Sequence, residues 1–266
     1  MIELFWGIYM EKIYLSRENI SKLVEKNKHN IIKNKGGFGI VLPYDRDFGL
    51  KFSADLLRDN FFDEEKFNNN LEEYKISEWQ IECLANTQER VKLTSLPKGV
   101  AYYNNKPVAV VLKYFYNHKN LYESYIEHNA AFFRMLKETI LALDELMKNG
   151  IYQLDAKGSN FLYSRPSYKI ETIDLDGELI KLSRENIVYE QRIYEDLIDM
   201  FDFLFKEKLM YLKRTNQISD NDYYARLSSL GCLKNTIKGF HIYESAEGFV
   251  NEVKKCKMLA IKKTRQ

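Results

Sequence analysis

The chain has 266 residues, which is enough to bury a sizeable core and allows one or two domains or a single protein of two lobes. Its 40 Lys and Arg residues nearly balance its 38 Asp and Glu residues, so the net charge of +2 argues against a broad nucleic-acid patch, and any anion site must be local. Three widely spaced cysteines argue against both a disulfide framework and a zinc cluster.

The first half of the chain predicts a small antiparallel sheet accompanied by helices. Residues 15–29 have a helical pattern with Ser16 as the cap. A glycine cluster flanked by strand-like segments follows, and residues 40–52 predict a hairpin. We predict one long helix over residues 64–89, and then a second hairpin whose turn is Asn104–Lys106.

The second half predicts mostly helices. Residues 128–148 place apolar side chains at helical spacing and end at Asn149–Gly150, a pattern typical of a core helix with a glycine cap. The segment QLDAKGSNFLY, residues 153–163, follows directly and leads into a strand-like pair, FLYS and YKIETIDLDG. A last amphipathic helix is predicted over residues 193–212. The element order indicates an α+β fold.

Three features of the sequence point weakly to chemistry when each is taken alone. Main chain near Gly36, Gly37 and Gly39 can approach phosphates closely, but glycine clusters also have many structural uses. Lys51 fits an ordinary solvated strand residue equally well. Asp174 lies in the apolar run ETIDLDG and is more informative, because a carboxylate in a buried strand requires a partner or a metal ion.

The order of these features resembles the protein-kinase-like superfamily, and in particular a compact, atypical Ser/Thr protein kinase. The resemblance covers roughly residues 31–205. It implies a bilobal fold in which a small antiparallel β-sheet N-lobe plus one helix, with the N-terminal helix and the Gly-rich loop, spans residues 1–115. A mainly helical C-lobe with the catalytic and metal-binding loops would span residues 116–266.

The resemblance also implies an ATP- and Mg²⁺-dependent phosphotransferase. Asp155 would orient or accept the proton of the attacking hydroxyl group, and Lys157 would neutralise the transferring phosphoryl group. Asn160 and Asp174 would bind Mg²⁺ through hard oxygen atoms. Phosphoryl transfer requires such groups because it depends on positioning and charge neutralisation rather than on covalent catalysis by the protein.

Nucleotide binding is implied for the first lobe. The glycine-rich main chain would cover the phosphates, and Lys51 would contact them while pairing with Glu78, with Glu73 and Glu82 as alternatives. Leu112 would control access to a back pocket, and the main chain after it would face adenine. The implied cofactor-binding residues are Gly36, Gly37, Phe38, Gly39, Val41, Lys51, Glu78, Leu112, Lys113 and Phe115.

The sequence also departs from the family pattern, and these departures leave the acceptor open. Gln153 stands where the family has His, and Asp176 stands where it has Gly. Lys157 favours a protein substrate with an acceptor Ser or Thr, whereas the short segment after Asp174 favours a small hydroxyl substrate. A pseudokinase that acts as a binding module is the third reading. Asp196 is either a buried acid supporting the catalytic loop or a first-turn helix residue.

Location is predicted only from missing signals. The N-terminus lacks the basic region of a signal peptide, and the chain has no apolar run of about 18 residues. We therefore expect no membrane span and a cytoplasmic protein, although a secreted effector would have the same features.

Overall fold

The computed structural model describes a mixed α+β protein, which confirms the predicted fold class. The chain divides into two units, residues 1–116 and 117–266, whereas the boundary predicted from the sequence lies after residue 115. The described residues are 10–33, 39–57, 63–73, 75–116, 118–123, 132–164, 169–177, 180–184, 186–228, 248 and 251.

The first unit is built on a five-stranded sheet. Its strands are β1 (Glu11–Tyr14), β2 (Gly39–Pro43), β3 (Phe48–Ser53), β4 (Gly99–Tyr103) and β5 (Lys106–Lys113). Their order in the sheet is β1-β4-β5-β3-β2. The two predicted hairpins, β2–β3 and β4–β5, are confirmed. Asn104 and Asn105 form the second turn with φ angles of 49° and 61°, a conformation that Asn tolerates well. An unpredicted strand, β1, pairs in parallel with β4.

The first unit contains several helices, whereas the sequence predicted an N-terminal helix and one more. Ser16 caps the first of them, since its hydroxyl accepts a hydrogen bond from Asn19 N–H at 3.1 Å. This helix continues to Lys33, so the glycine cluster follows a helix and the prediction of a strand before it was wrong. The helices are α1 (Arg17–Lys33), α2 (Ala54–Leu57), α3 (Glu64–Glu73) and α4 (Glu78–Thr87).

Helices pack on both faces of this sheet. Phe52 lies on the face that forms a core with Ile20 of α1 and Phe67 of α3, while Val110 on the opposite face packs with Ile81 of α4. Because α3 and α4 pack with opposite faces, they cannot form one continuous helix, and the single helix predicted over residues 64–89 was wrong. Ser77 caps the start of α4, because its hydroxyl accepts a hydrogen bond from Gln80 N–H.

The second unit combines long helices with two small sheets. The core helix α5 (Phe132–Lys148) ends two residues before Gly150, whose φ of 75° explains the predicted glycine cap. Strand β10 pairs with β7, and β8 pairs with β6 and β9. The elements are β6 (Lys119–Asn120), α5 (Phe132–Lys148), β7 (Ile151–Gln153), β8 (Phe161–Tyr163), β9 (Ile170–Thr172), β10 (Ile180–Leu182) and α6 (Ile187–Arg214), with residues 220–228 also helical.

Within the described ranges, none of the helices combines the length and the apolar character that a membrane-spanning helix requires.

Candidate active site

The loop between β7 and β8 is held by hydrogen bonds to its own main chain. The carbonyl oxygen of Asp155 accepts hydrogen bonds from Lys157 N–H and from Asn160 Nδ2, both at 2.9 Å. Asn160 N–H in turn donates to the Lys157 carbonyl at 2.9 Å, in the 3-10 turn Gly158–Asn160. The three side chains that the sequence predicted for catalysis and metal binding are thus fixed on one short loop.

The Asp155 carboxylate lies within reach of both of its predicted neighbours. Its Oδ2 is 2.6 Å from Lys157 Nζ and 3.2 Å from Asn160 Nδ2. Both side-chain contacts use Oδ2, so among the described residues Oδ1 is the oxygen left to accept a proton. The carboxylate side chain is 28% exposed, and the Lys157 side chain is 49% exposed. A lysine this exposed contributes little to stability through the pair.

Asp174 follows Ile173, whose main chain is hydrogen-bonded to Asn160. Ile173 N–H donates to the Asn160 carbonyl at 2.8 Å, and the Ile173 carbonyl accepts a hydrogen bond from Gln153 Nε2 at 2.9 Å. Asp174 itself is exposed and follows β9, so the expectation of a carboxylate within a buried strand was wrong. Its φ of 64° is in the left-handed region, which is strained for most residues.

Asp196 contacts the same loop from the middle of α6, and not from its first turn. Burial raises the pKa of Asp196 above its ordinary value. Arg192 and a hydrogen bond from the main-chain N–H of Ala156 lower this pKa, whereas the charges of Asp155 and Asp199 raise it further. Because a loop N–H donates to its carboxylate, Asp196 supports the loop, and the alternative of a first-turn helix residue was wrong.

The oxygen atoms at this end of the β8–β9 hairpin fit Mg²⁺. Asn160 is buried, and among the described residues its Oδ1 has only a long contact, 3.4 Å from Ser159 Oγ. Within the described residues, no three His, Cys, Asp or Glu side chains are grouped to hold a metal ion. The ligands would therefore be the Asn160 oxygen, the Asp155 carboxylate, whose Oδ2 is 3.2 Å from Asn160 Nδ2, and the carboxylate of Asp174, the residue after Ile173. Two or three protein oxygens suffice for Mg²⁺, which keeps several of its water ligands.

In the first unit, Lys51 lies on β3 opposite Val41 of β2 and Val110 of β5. Its methylene groups pass over Gly39, where an added Cβ would lie 2.7 Å from Lys51 Cε. Gly39 therefore lets the lysine side chain lie close to the strand. Val41 is 38% exposed on the same face.

Glu78, the acid predicted to pair with Lys51, is hydrogen-bonded to Tyr102. Glu78 Oε2 accepts a hydrogen bond from the Tyr102 hydroxyl at 2.6 Å. Burial raises the pKa of Tyr102, and the hydrogen bond and charge of Glu78 raise it further. Glu78 begins α4, whose Ile81 packs against Val110, the cross-strand partner of Lys51. A Lys51–Glu78 ion pair stays a prediction.

The segment after β5, predicted to face adenine, packs against the β2–β3 turn. Leu112 is partly buried against the cluster formed with α4, and Lys113 is exposed with its ammonium group 5.1 Å from the centre of the Phe115 ring. Tyr114 N–H donates to the Asp47 carbonyl at 2.9 Å, so this main-chain group is already engaged. The remaining predicted nucleotide-binding residues, Gly36, Gly37 and Phe38, lie outside the described residues.

Two contacts at the loop were not predicted from the sequence. One is the Gln153 hydrogen bond to Ile173, for which the sequence signal was Gln153 at the position where the protein-kinase pattern has His. The other is the Tyr122 ring, which covers Gly158 so closely that an added Cβ would lie 2.7 to 2.9 Å from three ring atoms. No local sequence pattern marks Tyr122, because this contact joins segments far apart in the chain.

Similarity to known proteins is found among solved structures. No protein-family model matches the chain, and no curated protein matches it. The chain is similar to the solved structure of the Cydia pomonella granulovirus kinase PK-1, with 14% sequence identity and a TM-score of 0.43, covering 69% of this chain and 73% of that chain. At that similarity, function has to be inferred from this chain's own residues.

Proposed function

We propose that the protein is an ATP- and Mg²⁺-dependent phosphotransferase. The proposal is carried by one observation: Asp155, Lys157, Asn160 and the residue before Asp174 are joined by a continuous set of hydrogen bonds. This set brings together a carboxylate base, a cation and hard oxygen donors. Phosphoryl transfer requires these groups, since its transition state is stabilised by positioning and charge.

In this proposal Asp155 Oδ1 accepts the proton of the acceptor hydroxyl group while the hydroxyl oxygen forms a bond to the γ-phosphorus of ATP. The bond between that phosphorus and the β–γ bridging oxygen breaks, and ADP leaves. Lys157 neutralises charge on the transferring group, and Lys51 contacts the nucleotide phosphates. Asn160 and Asp174 would hold Mg²⁺, which when bound neutralises phosphate charge.

We propose the hydroxyl group of a protein Ser or Thr as the acceptor, since Lys157 occupies the position typical of protein-phosphorylating members of the family. A small hydroxyl substrate is the second candidate. Asp196 and Asp199 lie close enough to interact electrostatically, and the charge of Asp155 also acts on Asp196. A loop flanked by acids in this way suits a cationic acceptor.

The test is transfer of labelled phosphate from γ-labelled ATP, with a generic protein and, separately, a set of aminoglycosides and amino alcohols as acceptors. Asp155→Asn is compared with Asp144→Asn, because the Asp144–Lys148 pair has the same 2.6 Å separation on α5. Label on any acceptor that is lost with Asp155→Asn and kept with Asp144→Asn supports the proposal. ATP binding with no transfer to any acceptor, or no ATP binding at all, would contradict it.

A further inference from the structure

The face of the first unit that we propose for nucleotide binding has a depression, which a side chain of the same unit fills. Gly39, Val41, Gly49 and Lys51 lie on one face of the β2–β3 hairpin, and we call these four residues the open strip. The helix α4 packs against the β4–β5 part of this face, while Val41 in the open strip remains 38% exposed. Gly49 has no side chain, so the strip has a depression at this position.

Tyr114 fills the depression. A Cβ added to Gly49 would lie 2.8 Å from Tyr114 Cδ2 and 2.9 Å from Val41 Cγ1. Real Cβ atoms do not make contacts this short, so the edge of the Tyr114 ring rests directly on the glycine main chain. The ring is half-buried, and burial raises the pKa of the Tyr114 hydroxyl.

A second tyrosine supports this ring from the solvent side. Tyr116 packs edge-to-face against Tyr114, with ring centroids 4.5 Å apart and an interplanar angle of 70°. The Tyr116 hydroxyl donates to the Asp45 carbonyl at 3.1 Å, and Tyr114 N–H donates to the Asp47 carbonyl. The bond to Asp47 uses only the main chain of Tyr114. Its ring can therefore rotate away while the segment stays attached to the β2–β3 turn.

The open strip would hold the two ends of a nucleotide differently. Lys51 supplies a cation at one end for phosphate groups, and Val41 supplies an apolar surface for a flat ring. A nucleobase lying along Val41 would meet the Tyr114 ring at Gly49. We propose that Tyr114 is a displaceable plug of the nucleobase site, which must leave the Gly49 depression before ATP binds fully. This inference rests on the proposed function, because it assumes a nucleotide on this face.

The proposal can be tested by comparing ATP, which has a base and phosphates, with a ligand that has phosphates alone. Tyr114→Ala should tighten ATP binding by about two- to tenfold, since an edge-to-face aromatic contact no longer competes with the base. Binding of inorganic tripolyphosphate, which carries the charges and lacks the base, should not change. Both affinities are measured by calorimetry on the full chain. Tyr14→Ala is the matched control, because Tyr14 also belongs to an aromatic pair in this unit, with Tyr102.

Tyr116→Ala provides an independent test of the proposal if Tyr114→Ala does not fold. Tyr116 is 52% exposed, so its removal should leave the fold intact, loosen the plug and also tighten ATP binding selectively. Unchanged or weaker ATP binding in these variants, with ATP binding to the wild type intact, would overturn the plug and leave the proposed function standing. Absence of ATP binding in the wild type and both variants would overturn the proposed function and the plug together.

Discussion

The side-chain amide of Gln153 holds the main chain that precedes Asp174, through the 2.9 Å hydrogen bond from its Nε2 to the Ile173 carbonyl. Gln153 is 1% exposed, and its Oε1 has no hydrogen-bond partner among the described residues. Because the Asn160 carbonyl accepts a hydrogen bond from Ile173 N–H, both polar groups of the Ile173 main chain are hydrogen-bonded. The main chain that leads into Asp174 is therefore held in position, although Asp174 itself has a left-handed φ.

Gln153→Leu should lower Mg²⁺ affinity and phosphate transfer by about tenfold or more, as is typical when a residue that orients a metal ligand is removed. The part-buried Ile173 carbonyl would lose its donor, so the free energy of unfolding should also fall by about 0.5–1.5 kcal/mol. Mn²⁺ binding followed by electron paramagnetic resonance measures the first effect without relying on activity, and urea unfolding measures the second.

Two further variants separate positioning from simple stability. Gln153→His keeps a ring N–H donor and should restore metal affinity toward the wild-type value. Asn149→Leu removes a comparable bond, since Asn149 Nδ2 donates to the Glu145 carbonyl at 2.9 Å. The control should lose stability while its metal affinity stays unchanged. Equal loss of Mn²⁺ affinity in Asn149→Leu and Gln153→Leu would show that Gln153 acts only through stability.

The left-handed conformation of Asp174 predicts different results for two substitutions that both remove its charge. Asn adopts positive φ readily, whereas Ala does not, so Asp174→Ala should be less stable than Asp174→Asn by about 1 kcal/mol. Both variants should lose Mg²⁺-dependent nucleotide binding. Urea unfolding and calorimetry with MgATP check the two parts. Equal stability would mean that φ at residue 174 relaxes at no cost, and Mg²⁺-dependent binding that persists in both would remove Asp174 from the metal site.

Asp155→Ala should separate binding from chemistry. Its carboxylate is proposed to act on the acceptor proton, so MgATP affinity should stay near the wild-type value while transfer falls roughly a hundredfold or more. Calorimetry and label transfer measure the two quantities. If nucleotide affinity falls as steeply as transfer, Asp155 contributes to binding, and its assignment as the base is wrong.

Gly158 should be intolerant of any side chain because the Tyr122 ring occupies the space. A methyl group there would press on three atoms of a rigid ring, so Gly158→Ala should lower the free energy of unfolding by about 1–3 kcal/mol. The double variant Gly158→Ala/Tyr122→Ala should lose less unfolding free energy than the two single variants lose together, because the ring that clashes is gone. Additive effects in urea unfolding would mean that the two residues do not contact each other in solution.

Local signals explain which parts of the fold the sequence predicted. The hairpin β4–β5 was predicted because Asn104 and Asn105 are residues that adopt the turn conformation themselves. The end of α5 was predicted for the same reason, since Gly150 adopts a positive φ. In both cases the chain's own backbone preference decides the structure within a few residues.

The errors arose where distant packing decides the structure. The break between α3 and α4 depends on which face of the sheet each helix covers, and residues 64–89 carry helix-favouring side chains throughout. The spacing from Asp155 to Asn160 is local and was visible in the sequence. The contact between Gln153 and Ile173 spans 20 residues and could be seen only once β7, β8 and β9 were in place.

The burial of Asp196 predicts a pH-dependent stability with a definite sign. Because burial raises its pKa in the folded state, the folded protein retains this proton at pH values above the ordinary Asp pKa of 3.8, where the unfolded chain has lost it. Between those two pKa values the folded state binds more protons, so stability falls as the pH rises. Relative to Asp196→Asn, the wild-type free energy of unfolding should therefore decrease as the pH rises above 3.8 and then level off.

Urea unfolding of both proteins over a pH series measures this difference, with Glu195→Gln as the control because Glu195 is exposed on the same helix. The difference in unfolding free energy between the wild type and Glu195→Gln should show no such decline. A wild-type stability that rises relative to Asp196→Asn over the same pH range would mean that the hydrogen bond from Ala156 and the charge of Arg192 outweigh burial. In that case the Asp196 carboxylate would stabilise the loop in its charged form, and removing its charge would be costly at neutral pH.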